Sequence, residues 1–119
     1  MKRIFFFSLP LLAVLNLFAK EVYIDPGPNA QERLQEALIL IDEGDTLIIK
    51  SGYYKFEDGL SLDVDDVTVK GEGIDSTILD FKNQQSGAQG LLVTSDRVTL
   101  SDFSILDAKG DALKVIGAK

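Results

Sequence analysis

The sequence predicts an all-β solenoid of the parallel β-helix kind, on two observations. The first is an internal repeat, because residues 59–69 return 31 positions later as residues 90–100 with five identities. The second is that each repeat is made of apolar triplets with period-2 alternation, separated by glycine, aspartate, serine and lysine, which predicts short strands between corners. Repeats of short strands that cannot bury an apolar face alone are typical of solenoids.

Two shorter matches set the length of the repeating unit. Residues 78–80 return as 105–107, 27 positions later, and residues 91–93 return as 113–115, 22 positions later. The shrinking offset indicates a bare unit of 22 residues, with loop insertions in the first copy. Three strands per unit, stacked about 4.8 Å apart, make a parallel β-helix with coils from about residue 46 onward.

The same alternation predicts which side chains face the core. We expect each inward residue to be covered by its equivalent in the next coil, with Leu60, Leu62, Val67, Val69 and Ile78 beneath Leu91, Val93, Val98, Leu100 and Ile105. An offset of 31 also relates residues 47–48 to residues 78–79, which predicts a partial first coil with residues 52–54 at its corner.

The first 19 residues have the plan of a cleavable signal peptide. A basic pair precedes an apolar run over residues 4–18, and Ala19 is followed by charged Lys20. Such a run is short for a membrane span. We therefore expect residues 1–19 to be removed on export to the periplasm or beyond, with no membrane contact afterwards. The alternative is an uncleaved anchor, because Leu17 fits poorly three residues before the cut.

The amino-acid composition of the mature chain argues against several classes of binding partner. Without Lys2 and Arg3 the 12 basic residues fall to ten against 19 acidic ones, a net charge of −9. A surface of that charge repels nucleic acid and anionic membranes, so we expect neither as a partner. The absence of cysteine excludes disulfides, and the absence of both cysteine and histidine argues against a zinc site.

The mature chain should begin with a strand and a helix. Residues 21–25 alternate and stop at a proline turn, which predicts a short strand. A helix is predicted over about residues 29–43, with Asn29 as its cap, Glu32 at the capping-box position and Gly44 ending it. Its apolar face is formed at i, i+3, i+4 and i+7 by Leu34, Ala37, Leu38 and Ile41. Such a helix would cover the open strand edges of the first coil.

Three segments resemble the right-handed parallel β-helix proteins of the pectate-lyase-like superfamily. They are residues 37–54, residues 67–79 and residues 107–113. The resemblance implies a right-handed coil with an N-terminal capping helix. It also implies binding or processing of acidic polysaccharide, since enzymes of this superfamily act as lyases, epimerases or glycoside hydrolases. Those enzymes combine carboxylates or calcium with a basic residue or histidine on successive coils, and no catalytic set of that kind can be assigned here.

Four residues form the candidate ligand site. Asp80 and Asp107 match at the offset of 27, so their carboxylates are expected one rung apart, where like charges repel and favour a cation. Lys109 and Asp111 follow in the next corner. The hypothesis is a small calcium- or uronate-binding cluster, with calcium at Asp80 and Asp107. The more economical interpretation is that all four are solvated corner residues.

Aromatic residues offer a second candidate surface. A sugar platform could be built from Tyr53, Tyr54, Phe56 and Phe81, although packing inside the corners is the favoured interpretation. We expect the whole chain to be an exported, polysaccharide-associated β-helix segment without catalytic residues. The alternative is a noncatalytic surface or structural solenoid that binds glycan or protein. Because the third unit stops after residue 115 without a further Val-Thr-Leu strand, residues 20–119 are predicted to be the N-terminal part of a longer β-helix domain.

Overall fold

The computed structural model describes residues 19–117, which are mostly β-structure with one short helix. The predicted signal peptide therefore lies outside the described residues, apart from Ala19. Within residues 19–117, no helix has the length and apolarity that crossing a bilayer demands.

Ten strands and one helix follow one another along the chain. They are β1 (Glu21–Ile24), α1 (Ala30–Leu40), β2 (Thr46–Ile49), β3 (Gly52–Lys55), β4 (Asp58–Leu62), β5 (Thr68–Lys70), β6 (Thr77–Asp80), β7 (Ser86–Val93), β8 (Thr99–Ser101), β9 (Ser104–Leu106) and β10 (Asp111–Val115). Most strands have only three to five residues, as the short apolar triplets predicted.

The strands form three parallel sheets. Sheet A has the order β1-β2-β5-β8, sheet B the order β3-β6-β9, and sheet C the order β4-β7-β10. From β2 onward the chain contributes one strand each to sheets A, B and C in turn, and it completes this circuit three times in total. Every neighbouring pair of strands is parallel. The described chain therefore contains three complete circuits, one more than the repeat alone indicated.

The register of sheets A and C confirms the offsets of 31 and 22. The paired residues are Val69 with Leu100 in sheet A, and Leu60 with Leu91, Leu62 with Val93 and Leu91 with Leu113 in sheet C. Side chains at paired positions point to the same face of a sheet. The inward residues of the first two circuits in these sheets are buried, as expected.

The register predicted for sheet B is wrong by one residue. Leu79 pairs with Ile105 and Asp80 with Leu106, so the offset of 27 does not hold. A one-residue slip exchanges the two faces of a strand. Leu79 is only 1% exposed and takes the inward place that was expected for Ile78, which is half-buried on the other face. Pairing by the observed register keeps Leu79 and Ile105 on the core side together.

The first circuit also differs from the prediction. Residues 47 and 48 pair with Val69 and Lys70 in sheet A, not with residues 78–79. Residues 52–54 are part of β3, which pairs with β6, and do not form a corner. The alternation of Tyr53 and Tyr54 gives the reason, because Tyr54 is buried and Tyr53 is exposed, as in any strand with one face on the core.

Helix α1 covers one end of the three sheets, and its predicted apolar face is confirmed. Leu34 and Leu38 are buried in the core shared with the strands. The helix is shorter than the expected 29–43, because Ile41 is already extended, with φ −62° and ψ 144°. Asn29 precedes the first turn in a left-handed conformation, φ 59°, and its side chain makes no capping hydrogen bond, so the predicted side-chain cap is wrong.

Two glutamines of α1 satisfy the free edge of β4. The Gln31 amide donates to the Asp58 carbonyl at 2.9 Å and accepts from the Glu57 backbone N–H at 2.8 Å. Gln35, one turn later, donates to the Ser61 carbonyl at 3.1 Å and accepts from the Ser61 N–H at 2.9 Å. Each amide therefore does for β4 what a neighbouring strand would do, which blocks further strand pairing at this edge.

Candidate functional site

The outward face of sheet B carries the candidate site. Because Tyr54 and Leu79 face the core, their strand neighbours Tyr53, Lys55 and Asp80 face outward. Lys55 and Asp80 are paired positions on β3 and β6. We name Tyr53, Lys55, Asp80 and Lys82 the Asp80 cluster.

Asp80 is the centre of this cluster and is only 6% exposed. One carboxylate oxygen accepts a hydrogen bond from the Tyr53 hydroxyl, and the other accepts from the Lys82 backbone N–H at 2.8 Å. The bond from Tyr53 lowers the pKa of Asp80 most. Burial raises this pKa, while the Lys82 N–H and the charges of Lys82 and Lys55 lower it further, so it lies below its ordinary value.

A lowered pKa means that Asp80 stays ionised in the folded protein at neutral pH. The stability it contributes is present above the ordinary pKa of aspartate and is lost as the pH falls through the lowered value. Asp80 is therefore a fixed negative charge with fixed hydrogen-bond partners. A carboxylate held in this way suits the positioning of neighbouring groups better than proton transfer near pH 7.

Tyr53 combines a held hydroxyl with an exposed ring. The hydrogen bond to Asp80 is the main cause that raises the pKa of the Tyr53 phenol, followed by burial and the charges of Asp80 and Asp107. The phenol thus remains a donor to Asp80. The side chain is nevertheless 51% exposed, so an aromatic face is presented to solvent in a fixed orientation.

A cleft adjoins the cluster and shares Tyr53 and Lys55 with it. It lies between the turn that precedes α1 and strand β3, and Asn29 and Glu32 are among its other lining residues. Its volume of about 580 Å³ is within the range that small-molecule sites occupy, about 300–1,000 Å³. Tyr53 therefore stands at the junction of a charged surface and a concave one.

The four residues predicted as the ligand site are only partly brought together. Asp107 follows β9, is exposed, and acts on Tyr53 through its charge. The Lys109 backbone N–H donates to Gln84 Oε1 at 3.0 Å in the turn before β10. Asp111 begins β10 and is exposed in sheet C, opposite Gln89. Since Asp80 pairs with Leu106, the expected alignment of Asp80 with Asp107 on one rung is wrong.

Calcium at Asp80 and Asp107 gains no geometric support from the structure. Both oxygens of Asp80 are already engaged by Tyr53 and Lys82. Among the residues that the structure describes, no group of three or more histidine, cysteine, aspartate or glutamate side chains could hold a metal ion. The partners of the Asp80 carboxylate in the described structure are therefore protein donors.

Sequence reasoning missed Lys55 and Lys82 and did not separate Tyr53 from the other aromatics. Tyr54, Phe56 and Phe81 are buried and cannot form a sugar platform. Corner packing is confirmed for Phe56 and Phe81, which directly follow β3 and β6, whereas Tyr54 packs into the core from within β3. The signal for Tyr53 and Lys55 was available as alternation with Tyr54 and Phe56 in the sequence. It would have required recognising residues 52–55 as a strand.

Comparisons of the chain with protein-family models, with curated proteins and with solved structures found no match. Assignment of a function therefore depends on the Asp80 cluster, on the adjoining cleft and on the sequence pattern.

Proposed function

We propose that the chain is an exported right-handed parallel β-helix, similar to the pectate-lyase-like superfamily, that binds acidic polysaccharide. Three features support the β-helix. The chain visits three parallel sheets in turn, sheets A and C keep the repeat register, and α1 covers one end of the stack. The observation that carries the binding function is the Asp80 cluster, in which an exposed tyrosine ring lies among two lysines and a buried carboxylate.

Each member of the cluster matches one part of a uronate chain. The exposed face of Tyr53 provides an apolar, rigid surface for the C–H face of a sugar ring. The Lys55 and Lys82 ammonium groups supply charge-assisted hydrogen bonds to uronate carboxylates. Asp80 holds the tyrosine hydroxyl and thus orients the ring before a ligand arrives.

The negative net charge of the protein repels an acidic glycan at long range but has little effect on the contacts made within the site. The mature chain carries about −9, yet exposed charges separated by more than about 8 Å are largely screened at physiological ionic strength. The two lysines act at hydrogen-bond distance, where screening is weak. Binding should therefore be measured at physiological salt, where the distant acidic residues contribute least.

A glycan titration tests the proposal. The mature protein should bind oligogalacturonate or oligoalginate in calorimetry, and neutral cello-oligosaccharides more weakly. Tyr53→Ala should weaken acidic-glycan binding about tenfold or more, about 1.4 kcal/mol, and Lys82→Gln should weaken it as well.

The chain offers a matched control for each change. Tyr23 is 52% exposed on β1, and its hydroxyl donates to Glu21 at 2.7 Å, so Tyr23→Ala removes an equally exposed tyrosine from another sheet. Lys70→Gln is the corresponding control for Lys82→Gln, since Lys70 is exposed on sheet A. The proposed site would be contradicted if Tyr53→Ala and Tyr23→Ala weakened glycan binding equally, or if the protein bound no acidic glycan.

A noncatalytic solenoid that binds protein is the second candidate function. Ile39 and Leu40, at the end of α1, are 65% and 67% exposed and line a shallow cleft beside Gln35. Apolar neighbours that stay exposed are typical of interaction surfaces. Absence of acidic-glycan binding by the wild type, together with binding of a protein partner that Ile39→Asp abolishes and Tyr53→Ala leaves intact, would favour this candidate.

The proposed export predicts which residue is the first of the mature protein. If the signal peptide is removed as proposed, Edman sequencing or mass spectrometry of the periplasmic or secreted protein should identify Lys20 as the first residue. A protein from that fraction that still carries Met1 would contradict cleavage.

A further inference from the structure

Lys20 is held by four hydrogen bonds at the start of the folded chain, one of them from its Nζ to Asp42 Oδ2 at 3.1 Å. Its backbone N–H donates to Asp45 Oδ1 at 3.0 Å, and its Nζ donates to Asp45 Oδ2 at 3.0 Å. Its backbone carbonyl accepts from the Thr46 N–H at 3.0 Å. Strand β1 begins with the next residue. The contacts of Lys20 thus fix the point at which the first strand enters sheet A.

Asp45 is the acceptor in two of these contacts and is only 1% exposed. It also accepts from the Asp42 backbone N–H at 3.1 Å. Burial alone would raise the pKa of the Asp45 carboxyl, but the Lys20 backbone N–H, the Lys20 ammonium and the Asp42 N–H together bring this pKa below its ordinary value. Asp45 is therefore a buried carboxylate that depends on its donors, and Lys20 provides two of them.

The proposed cut would change the chemistry of one of those donors. Hydrolysis of the Ala19–Lys20 peptide bond gives the water hydroxyl to the Ala19 carbonyl and a hydrogen to the Lys20 nitrogen. The resulting amine takes up a further proton near neutral pH, because the ordinary pKa of an α-amino group is about 8. A neutral amide N–H beside Asp45 Oδ1 thereby becomes an ammonium group at the same atom.

We propose that Asp45 is the receptor for the new α-ammonium group of Lys20, so that removal of the signal peptide locks β1 onto the sheets. The inference rests on the export proposed above and is independent of glycan binding. A charge-assisted hydrogen bond to a buried carboxylate is stronger than the amide bond that it replaces. The second cation on Asp45, Lys20 Nζ, lies on a side chain that is 54% exposed, so it contributes less.

Three forms of the protein that differ only at the N-terminus test the receptor. One begins at Lys20 with a free amine, one begins at Ala19, and one begins at Nα-acetylated Lys20. The free Lys20 form should melt about 4–8 °C above the other two. Melting of all three forms within about 1 °C of one another would overturn the proposal.

Two substitutions show whether the gain comes from the ion pair with Asp45. Asp45→Asn should abolish the difference between the free and acetylated forms, whereas Lys20→Gln should keep it, since the α-ammonium remains. If Asp45→Asn does not fold, the acetylated protein with Asp45 intact still decides the question. A different mature N-terminus in the exported protein would refute the processing step alone, because the melting series still measures the receptor.

Discussion

Replacing Leu79 by aspartate should cost the protein several kcal/mol, a large part of its free energy of unfolding. Leu79 is 1% exposed on the core face of β6, between its paired neighbours Tyr54 and Ile105. A carboxylate there would lose its hydration with no donor prepared for it. Because natural domains are stable by only about 5–15 kcal/mol, a cost of about 3–5 kcal/mol should move the urea midpoint of unfolding strongly downward.

The adjacent residue provides the control. Ile78 carries a side chain of the same size on the other face of the same strand, in line with Tyr53 and Ser104. Ile78→Asp leaves the new charge at the surface and should cost about 1 kcal/mol or less. The opposite order of urea midpoints, with Ile78→Asp the more damaging change, would restore the offset of 27 and refute the register of sheet B.

The sequence predicted sheets A and C well because their repeats are long. Residues 59–69 and 90–100 share glycine, aspartate and β-branched positions at fixed spacing, and both a corner and two strands must fit at once. The match of residues 78–80 with residues 105–107 spans one short strand only. This match contains two adjacent apolar residues, Ile78 and Leu79, so the sequence fits equally well with either one on the core face. Only the observed burial of one of the two side chains distinguishes the two registers.

The first circuit was harder to recognise because it has little in common with the repeat. Tyr53 and Tyr54 stand where the second circuit has Ile78 and Leu79, so β3 gave no match to β6 by identity. The edge of β4 is satisfied by Gln31 and Gln35, and an amide that replaces a strand leaves no periodic signal. These features depend on which elements meet in space, which spacing along the chain does not show.

The candidate site, too, is only partly predictable from the repeat pattern, because its partners depend on the strand register. Asp80 was selected from the sequence, but its expected neighbour Asp107 came from the incorrect register. Its actual partner Tyr53 comes from β3, a strand for which the repeat predicts a corner. Lys82 contributes through a backbone N–H, which no residue type identifies. A site assembled from adjacent circuits can therefore be predicted only when the register of the sheet is known with single-residue accuracy.

Removing the ring of Phe81 should have the second large effect. Phe81 directly follows β6, and Phe56 directly follows β3, so the two rings lie inside the same corner of successive circuits. Both are fully buried, with ring centroids 5.1 Å apart, and Tyr54 lies 6.3 Å from Phe56. Deletion of a buried phenylalanine ring costs about 3–5 kcal/mol through lost transfer energy and the cavity that remains.

A double-mutant cycle separates the ring contact from burial alone. Phe81→Ala and Phe56→Ala should each lower the free energy of unfolding by about 3–5 kcal/mol, and Phe81→Leu by clearly less. The double mutant should lose less than the sum of the single losses, by about 0.5–1.5 kcal/mol, if the rings contact each other as they do here. Since Phe81 adjoins Asp80, the Phe81→Leu protein should also keep its glycan affinity if the corner serves stability only. Strict additivity of the two losses would mean that the rings do not touch, and would contradict the ring contact inside this corner.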